Sequence, residues 1–176
     1  MTTELQMLDP DRTVVLIMDF QNDIVNNVAQ DPQTVIKKAS QVLAGARQVG
    51  IPVIYVVHRG GRFEEQSAGA EIHPDVSPAP GERVISKTKS GPFSTTGLDI
   101  ILREMGRDTL VLMGVATSGC VLSASRWAAD INYKVVVVKD ACDDRDPEVH
   151  RVLTEKIFAR QGVLTAEEFL RAVRVE

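Results

Sequence analysis

Three residues with complementary chemistry each follow an apolar run in this chain of 176 residues. Asp19 follows the run at residues 13–18, and Lys87 follows a shorter run at residues 83–86. Cys120 follows a third run, after a short segment of small residues, and opens a helical pattern. Buried parallel strands have such continuous β-branched sequences. We therefore expect an aspartate, a lysine and a cysteine at the ends of three neighbouring strands.

A carboxylate, an ammonium and a thiol are together suited to acyl transfer. A free thiol has a pKa of about 8.5 and is mostly protonated at neutral pH. A nearby ammonium and a helix N-terminus both favour the thiolate, and a carboxylate can take the thiol proton and pass it to a leaving amine. Backbone N–H groups of the small residues before Cys120 can approach a developing oxyanion. The pattern predicts acylation of Cys120 followed by hydrolysis.

Each of these residues also has an ordinary structural interpretation. Cysteine is among the most buried residue types, a strand-end aspartate often caps a turn, and a lysine after a strand is usually solvated. A non-catalytic binding module on the same scaffold is therefore a competing hypothesis, because fold alone does not establish function.

The elements that must position these residues alternate between strand and helix. Strands are predicted at 13–18, 51–57, 83–86, 109–113, 133–138 and 162–165, and helices at 32–49, 95–105, 118–131, 147–160 and 166–173. Right-handed crossovers then give a three-layer α/β/α, Rossmann-like fold with a mostly parallel six-stranded sheet of order 3-2-1-4-5-6. We expect a single domain over residues 1–176, with Asp19 and the Cys120 loop flanking the crevice where the strand order reverses.

Composition narrows the classes of partner. The net charge of −4 and the aromatic content of 5% predict no nucleic-acid or membrane partner, and a small molecule is the expected partner. Two cysteines are too few for a disulfide framework.

The first twelve residues do not have the pattern of a signal peptide, and no apolar run approaches the ~20 residues that span a bilayer. We expect a cytoplasmic protein.

Four segments, VVLIMDFQND at 14–23, ISKTKSGPF at 85–93, GVATSGCV at 114–121 and YKVVVVKDACDD at 133–144, carry a resemblance to a known family. In this order they resemble the isochorismatase-like cysteine hydrolases, which include nicotinamidases, N-carbamoylsarcosine amidohydrolases and isochorismatases. The resemblance covers nearly the whole chain. It implies Asp19 as general base, Lys87 as the intervening cation and Cys120 as nucleophile, in a homodimer or homotetramer.

The resemblance also implies a cis peptide bond between Val115 and Ala116, which would aim the N–H groups of Ala116 and Cys120 at the oxyanion. In the family, the lysine stands six residues before a phenylalanine. Phe93 therefore selects Lys87 over Lys89.

For the substrate pocket we predict contributions from Gln21, Ile24, His58, Phe93 and Thr117. Gln21 is expected to hydrogen-bond near Asp19 or the substrate, and Ile24 stands where the family usually has phenylalanine. The loop at 60–82 is long for a compact domain, which is typical of a lid or pocket wall. The segment at 59–63 adds three weaker candidates: Arg59, Arg62 and Phe63.

Nicotinamidases bind a metal through an Asp-x-His motif, and here the second strand ends in Val56-Val57-His58 without that aspartate. We therefore expect no metal and no other cofactor. Some isochorismatases lack the cysteine, because hydrolysis of a vinyl ether needs only a proton from the aspartate. Cys120 favours cleavage of a C–N bond in an amide or ureide, and vinyl ether hydrolysis by Asp19 is the alternative.

Three further residues are assigned structural roles. Cys142 is predicted to be structural, His150 to be solvated on a helix, and Trp127 to pack in the core or at a subunit interface.

Overall fold

Six parallel strands form the central sheet of the computed structural model, which describes residues 7–61, 63 and 67–173. The strand order is β3-β2-β1-β4-β5-β6, which confirms the predicted fold. The strands are β1 (Thr13–Met18), β2 (Val53–His58), β3 (Arg83–Lys87), β4 (Thr109–Val115), β5 (Lys134–Asp143) and β6 (Val163–Leu164).

Six α-helices belong to the described residues: α1 (Asn22–Val28), α2 (Pro32–Gln48), α3 (Leu98–Glu104), α4 (Leu122–Asp130), α5 (Pro147–Val152) and α6 (Ala166–Ala172). Two predicted helices are wrong in detail. A π-helical turn, Thr117–Val121, precedes α4, and α5 gives way to a π-helical turn, Leu153–Ile157, and a 3-10 turn, Phe158–Arg160. Helix α1 was not predicted. No helix among the described residues is long and apolar enough to cross a membrane.

The sequence pattern explains which strands are central. Every residue of β1 and β4 is buried, as expected for strands covered on both faces, whereas β3 at the sheet edge is mostly exposed. Helix α2 begins where Asp31 accepts the Thr34 N–H at 3.1 Å, with Pro32 in its first turn. Its apolar stripe packs against β5 and α6. Each fully buried aliphatic side chain of this kind contributes ~1.5–3 kcal/mol.

The second half of the long loop is tied to α2 through one side chain. Arg47 donates from Nε and Nη2 to the two carboxylate oxygens of Glu82, at 2.9 and 2.8 Å. Its Nη2 also donates to the Tyr55 hydroxyl at 3.0 Å and to the Ser77 carbonyl at 3.1 Å. These bonds fix the approach to β3 and thereby the position of Lys87 at its end.

Candidate active site

The three strand-end residues meet at the carboxyl edge of the sheet. Asp19 follows β1, Lys87 is the last residue of β3, and Cys120 lies in the turn after β4. All three line a cleft of about 320 Å³. Its walls are formed by Asp19, Ile24, His58, Phe63, Lys87, Ser90, Val115, Ala116, Gly119 and Cys120. Parallel strands bring their carboxyl ends to one edge, which explains the convergence.

Asp19 and Lys87 form a buried ion pair. Lys87 Nζ lies 2.8 Å from Asp19 Oδ2 and also donates to the Lys89 carbonyl oxygen at 3.0 Å. The other carboxylate oxygen, Asp19 Oδ1, is buried and has no hydrogen-bond partner. Lys89 itself is exposed, so Lys87 is the lysine that reaches the carboxylate.

The backbone of Asp19 adopts a conformation that is uncommon for a residue other than glycine. Its φ is 59°, in the left-handed region. The Asp19 N–H donates to the Val56 carbonyl oxygen at 2.8 Å, which continues the pairing of β1 with β2. This turn directs the carboxylate toward the cleft rather than along the sheet.

Burial makes the Asp19 carboxylate a stronger base than an ordinary aspartate. Desolvation raises its pKa above the usual 3.8, and this effect exceeds the lowering by the Lys87 ammonium and by the Cys120 thiol. A carboxylate with a raised pKa accepts a proton from a thiol more readily.

Cys120 is buried, with Sγ 3.6 Å from the Ala116 carbonyl oxygen and 4.0 Å from that of Met18. Burial raises the pKa of the thiol well above its usual value. The Asp19 carboxylate raises it further, and the Lys87 ammonium opposes this. The Lys87 ammonium favours the thiolate, as expected, but desolvation of the sulfur outweighs it, so the protonated thiol is the favoured form.

The loop before Cys120 includes the amide of Ala116, which lies in the wall of the cleft. The Val115–Ala116 peptide bond is cis. The Ser118 N–H donates to Asp144 Oδ2 at 2.7 Å, and the Gly119 N–H donates to the Ala116 carbonyl at 3.1 Å. Within the described ranges the Ala116 N–H takes part in no hydrogen bond. Since Ala116 lines the cleft, this N–H can donate to a bound oxygen.

Gly114 allows the sulfur to approach the sheet. A Cβ at this position would lie 2.9 Å from Cys120 Sγ and 2.9 Å from the Met18 carbonyl oxygen. Any larger residue would displace either the thiol or the backbone of β1.

Comparison with known proteins identifies the family. The family model described as the isochorismatase domain matches residues 13–168. The chain belongs to the isochorismatase family.

The amino-acid sequence of this chain is similar to those of two bacterial proteins. The isochorismatase family protein YwoC of Bacillus subtilis is 36% identical over 117 residues, which are 66% of this chain and 62% of YwoC. A streptothricin hydrolase of Streptomyces noursei is 31% identical over 132 residues, 72% of this chain and 48% of that protein. The chain thus spans between about half and two thirds of the length of these relatives.

Two solved structures share the fold across most of both chains. An isochorismatase family protein from Burkholderia thailandensis is 27% identical, with a TM-score of 0.87 over 98% of this chain and 100% of that one. N-carbamoylsarcosine amidase from Thermoplasma acidophilum is 27% identical, with a TM-score of 0.77 over 89% and 97%.

Among the five pocket residues predicted for this isochorismatase-family chain, Ile24 and His58 line the cleft. The His58 ring meets Phe63 edge to face, with centroids 5.5 Å apart. Burial, helped by the Lys87 ammonium, lowers the pKa of His58, so the imidazole is neutral at pH 7. The weaker candidate Phe63 also lies in the wall, and Arg62 is outside the described residues.

Gln21 is not among the residues that line the cleft, but it hydrogen-bonds to His58, which does line it beside Asp19. Its side chain is buried, with Nε2 donating to the carbonyl oxygens of His58 at 3.0 Å and Ala70 at 2.8 Å. Its Oε1 accepts the His58 N–H at 2.6 Å. The amide is thus occupied by backbone groups of β2 and the long loop.

Phe93 and Thr117 were also predicted to contribute to the pocket, but neither is among the residues that line the cleft. Phe93 stacks on Trp127, with centroids 6.5 Å apart. Trp127 is 48% exposed, so it is not a core residue. Thr117 is buried and its hydroxyl lies 2.8 Å from Nδ1 of His150. His150 is therefore partly buried and hydrogen-bonded rather than fully solvated, and burial lowers its pKa.

Sequence reasoning missed two wall residues of the isochorismatase-family cleft. Ser90 is in the segment that follows Lys87, and Gly119 directly precedes the cysteine. Their proximity to the catalytic candidates in sequence is the signal that could have found them. Elsewhere in the described chain, no three His, Cys, Asp or Glu side chains are grouped to hold a metal.

Proposed function

We propose that this protein is a cysteine hydrolase that cleaves the C–N bond of a small amide or ureide without a metal. The observation that carries the proposal is the convergence of Cys120, Asp19 and Lys87 in one cleft, with a carboxylate oxygen of Asp19 left unpaired. Relatives named streptothricin hydrolase and N-carbamoylsarcosine amidase support this reaction class.

The first half-reaction acylates the cysteine. Asp19 takes the proton of the Cys120 thiol as Sγ forms a bond to the substrate carbonyl carbon. The N–H groups of Ala116 and Cys120 are the donors we assign to the resulting oxyanion. The carbonyl re-forms, the C–N bond breaks, and Asp19 returns the proton to the leaving nitrogen. A thioester on Cys120 and a free amine result.

The second half-reaction hydrolyses the thioester. Asp19 takes a proton from water as the water oxygen bonds to the acyl carbon. Collapse of that intermediate breaks the C–S bond, and the proton passes from Asp19 to Sγ. Throughout, the Lys87 ammonium lies 2.8 Å from Asp19 Oδ2 and opposes the rise of the carboxyl pKa, which favours the ionised form of the base.

One observation favours the alternative, hydrolysis of a vinyl ether by proton transfer from Asp19. Burial raises the pKa of Asp19, which increases the fraction that can act as an acid. That reaction needs no nucleophile, so it predicts activity that survives loss of Cys120 but not loss of Asp19.

The test combines labelling with activity. The protein is treated with iodoacetamide, the adduct is located by mass spectrometry, and Cys120→Ala is assayed on a panel of amides and ureides. Cys142→Ala is the matched control, since Cys142 is buried and lies outside the cleft. We expect an adduct on Cys120 and loss of hydrolysis only in Cys120→Ala. An adduct confined to Cys142, with full activity in Cys120→Ala, would overturn the proposal.

A further inference from the structure

Asp144 lies behind the loop that carries Cys120 and not in the cleft itself. It follows β5, is 5% exposed, and its Oδ2 accepts the Ser118 N–H at 2.7 Å. Asp144 is held within its own turn, because its Oδ1 accepts the Asp146 N–H at 3.5 Å and its backbone N–H donates to Asp143 Oδ1 at 2.8 Å. A short bond from an amide to a carboxylate is among the stronger hydrogen bonds in proteins.

A second hydrogen bond joins the adjacent residue of the same loop to the same part of the chain. Thr117 is fully buried, and its hydroxyl lies 2.8 Å from Nδ1 of His150 on α5. Two consecutive residues of the loop that carries Cys120 are therefore hydrogen-bonded from outside the cleft. Ser118 is bonded to Asp144 and Thr117 to His150. Neither of these two residues lines the cleft.

The two hydrogen-bonded residues, Thr117 and Ser118, lie between the two groups that must face a substrate carbonyl. Ala116 precedes Thr117, and Cys120 lies two positions beyond Ser118. Because the Ser118 N–H is occupied from outside the cleft, it does not compete with the Ala116 N–H for a bound oxygen. A displacement of reacting groups by about 1 Å can reduce a rate roughly 100-fold.

We propose that Asp144 is a positioning residue for the hydrolysis. Its hydrogen bond to Ser118, together with the hydrogen bond between Thr117 and His150, fixes the loop so that the Cys120 thiol and the Ala116 N–H face the same substrate carbonyl group. This inference rests on the proposed function. It assigns a role in catalysis to residues that do not contact the substrate.

Matched substitutions test the Ser118–Asp144 and Thr117–His150 hydrogen bonds. Asp144→Ala removes the acceptor, whereas Asp144→Asn keeps an oxygen that can accept the Ser118 N–H. Thr117→Val removes the hydroxyl at nearly constant shape, whereas Thr117→Ser keeps it. We expect Asp144→Ala and Thr117→Val to lower kcat by about 10- to 100-fold with KM changed less than about 3-fold. Asparagine and serine should restore most of the rate.

Two controls separate positioning from loss of folding and from failure of the proposed reaction. Asp108→Ala removes a carboxylate that accepts from Arg12 and Thr109 before the start of β4, at the opposite edge of the sheet, and should leave kcat unchanged. Equal kcat in wild type and Asp144→Ala, with Cys120→Ala inactive, would overturn the positioning role alone. A kcat loss in Asp108→Ala as large as in Asp144→Ala would also overturn it. Full activity in Cys120→Ala would overturn the proposed function, and the inference with it.

Discussion

Lys87 Nζ lies 2.8 Å from Asp19 Oδ2, although β2 separates the two strands that carry these residues. Both side chains are almost completely buried. Because each charge would be costly to bury alone, the pair is expected to be essential both for stability and for the protonation state of the base.

Lys87→Met is expected to lower the free energy of unfolding by about 3–5 kcal/mol at neutral pH, since it leaves the Asp19 carboxylate buried without its counter-ion. Urea denaturation measures this. The penalty should shrink as the pH falls, because Asp19 can then become neutral. The matched control is Lys38→Met, which removes a partly exposed pair with Asp140 and should cost less than ~1 kcal/mol. Equal losses in the two variants would contradict the prediction.

The value of kcat/KM should decline in acid, and this decline should occur at a higher pH than it would with an ordinary aspartate as the base. The reaction needs ionised Asp19, and burial raises its pKa above 3.8, so kcat/KM declines as the pH drops through that raised value. In Lys87→Met the residual activity should decline at still higher pH, because the ammonium that lowers the Asp19 pKa is lost. The pH profile of kcat/KM checks both, and an acid limb at or below 3.8 would rule out this role.

Alkylation of Cys120 should respond to its two charged neighbours in opposite directions. The Asp19 carboxylate raises the thiol pKa and the Lys87 ammonium lowers it, and the thiolate is the reactive species. Asp19→Asn should therefore move the pH profile of iodoacetamide labelling to lower pH, and Lys87→Met should move it to higher pH. Both are measured in a Cys142→Ala background. Shifts in the same direction would show that the thiol does not sense both charges.

Gly114→Ala should both destabilise the protein and impair hydrolysis. The new Cβ would lie 2.9 Å from Cys120 Sγ and from the Met18 carbonyl oxygen, which is expected to cost ~1–3 kcal/mol. Gly97→Ala is the control, since no atom lies within 4 Å of a Cβ at that position. Thermal melting and amide hydrolysis report the two effects. Unchanged activity in Gly114→Ala would show that the thiol tolerates displacement.

Ile24→Ala should change which amides are preferred. Ile24 lines the cleft, so its truncation enlarges the space beside Asp19 and should raise kcat/KM for bulkier acyl groups relative to small ones. Ile36→Ala on α2 is similarly buried but lies away from the cleft. Both variants should lose stability, by ~2 kcal/mol or more. Only Ile24→Ala should alter the ranking of substrates. An unaltered ranking would show that Ile24 does not determine substrate preference.

Local pattern was sufficient to predict the sheet and the meeting of its functional ends. Continuous apolar runs such as those of β1 and β4 can satisfy burial on both faces only in a covered parallel sheet. Right-handed crossovers then bring the residues after β1, β3 and β4 to one edge. Asp19, Lys87 and Cys120 were predictable for this reason.

Only the tertiary structure decided which other side chains face the cleft and how the charged groups titrate. Gln21, Phe93 and Thr117 are close to the candidates in sequence, but their partners, such as Ala70, Trp127 and His150, come from distant segments. The pKa of Cys120 is likewise set by burial among several elements. Sequence spacing determines which residues arrive at the same edge of the sheet. Side-chain direction and desolvation depend on contacts between distant parts of the chain, which no local pattern encodes.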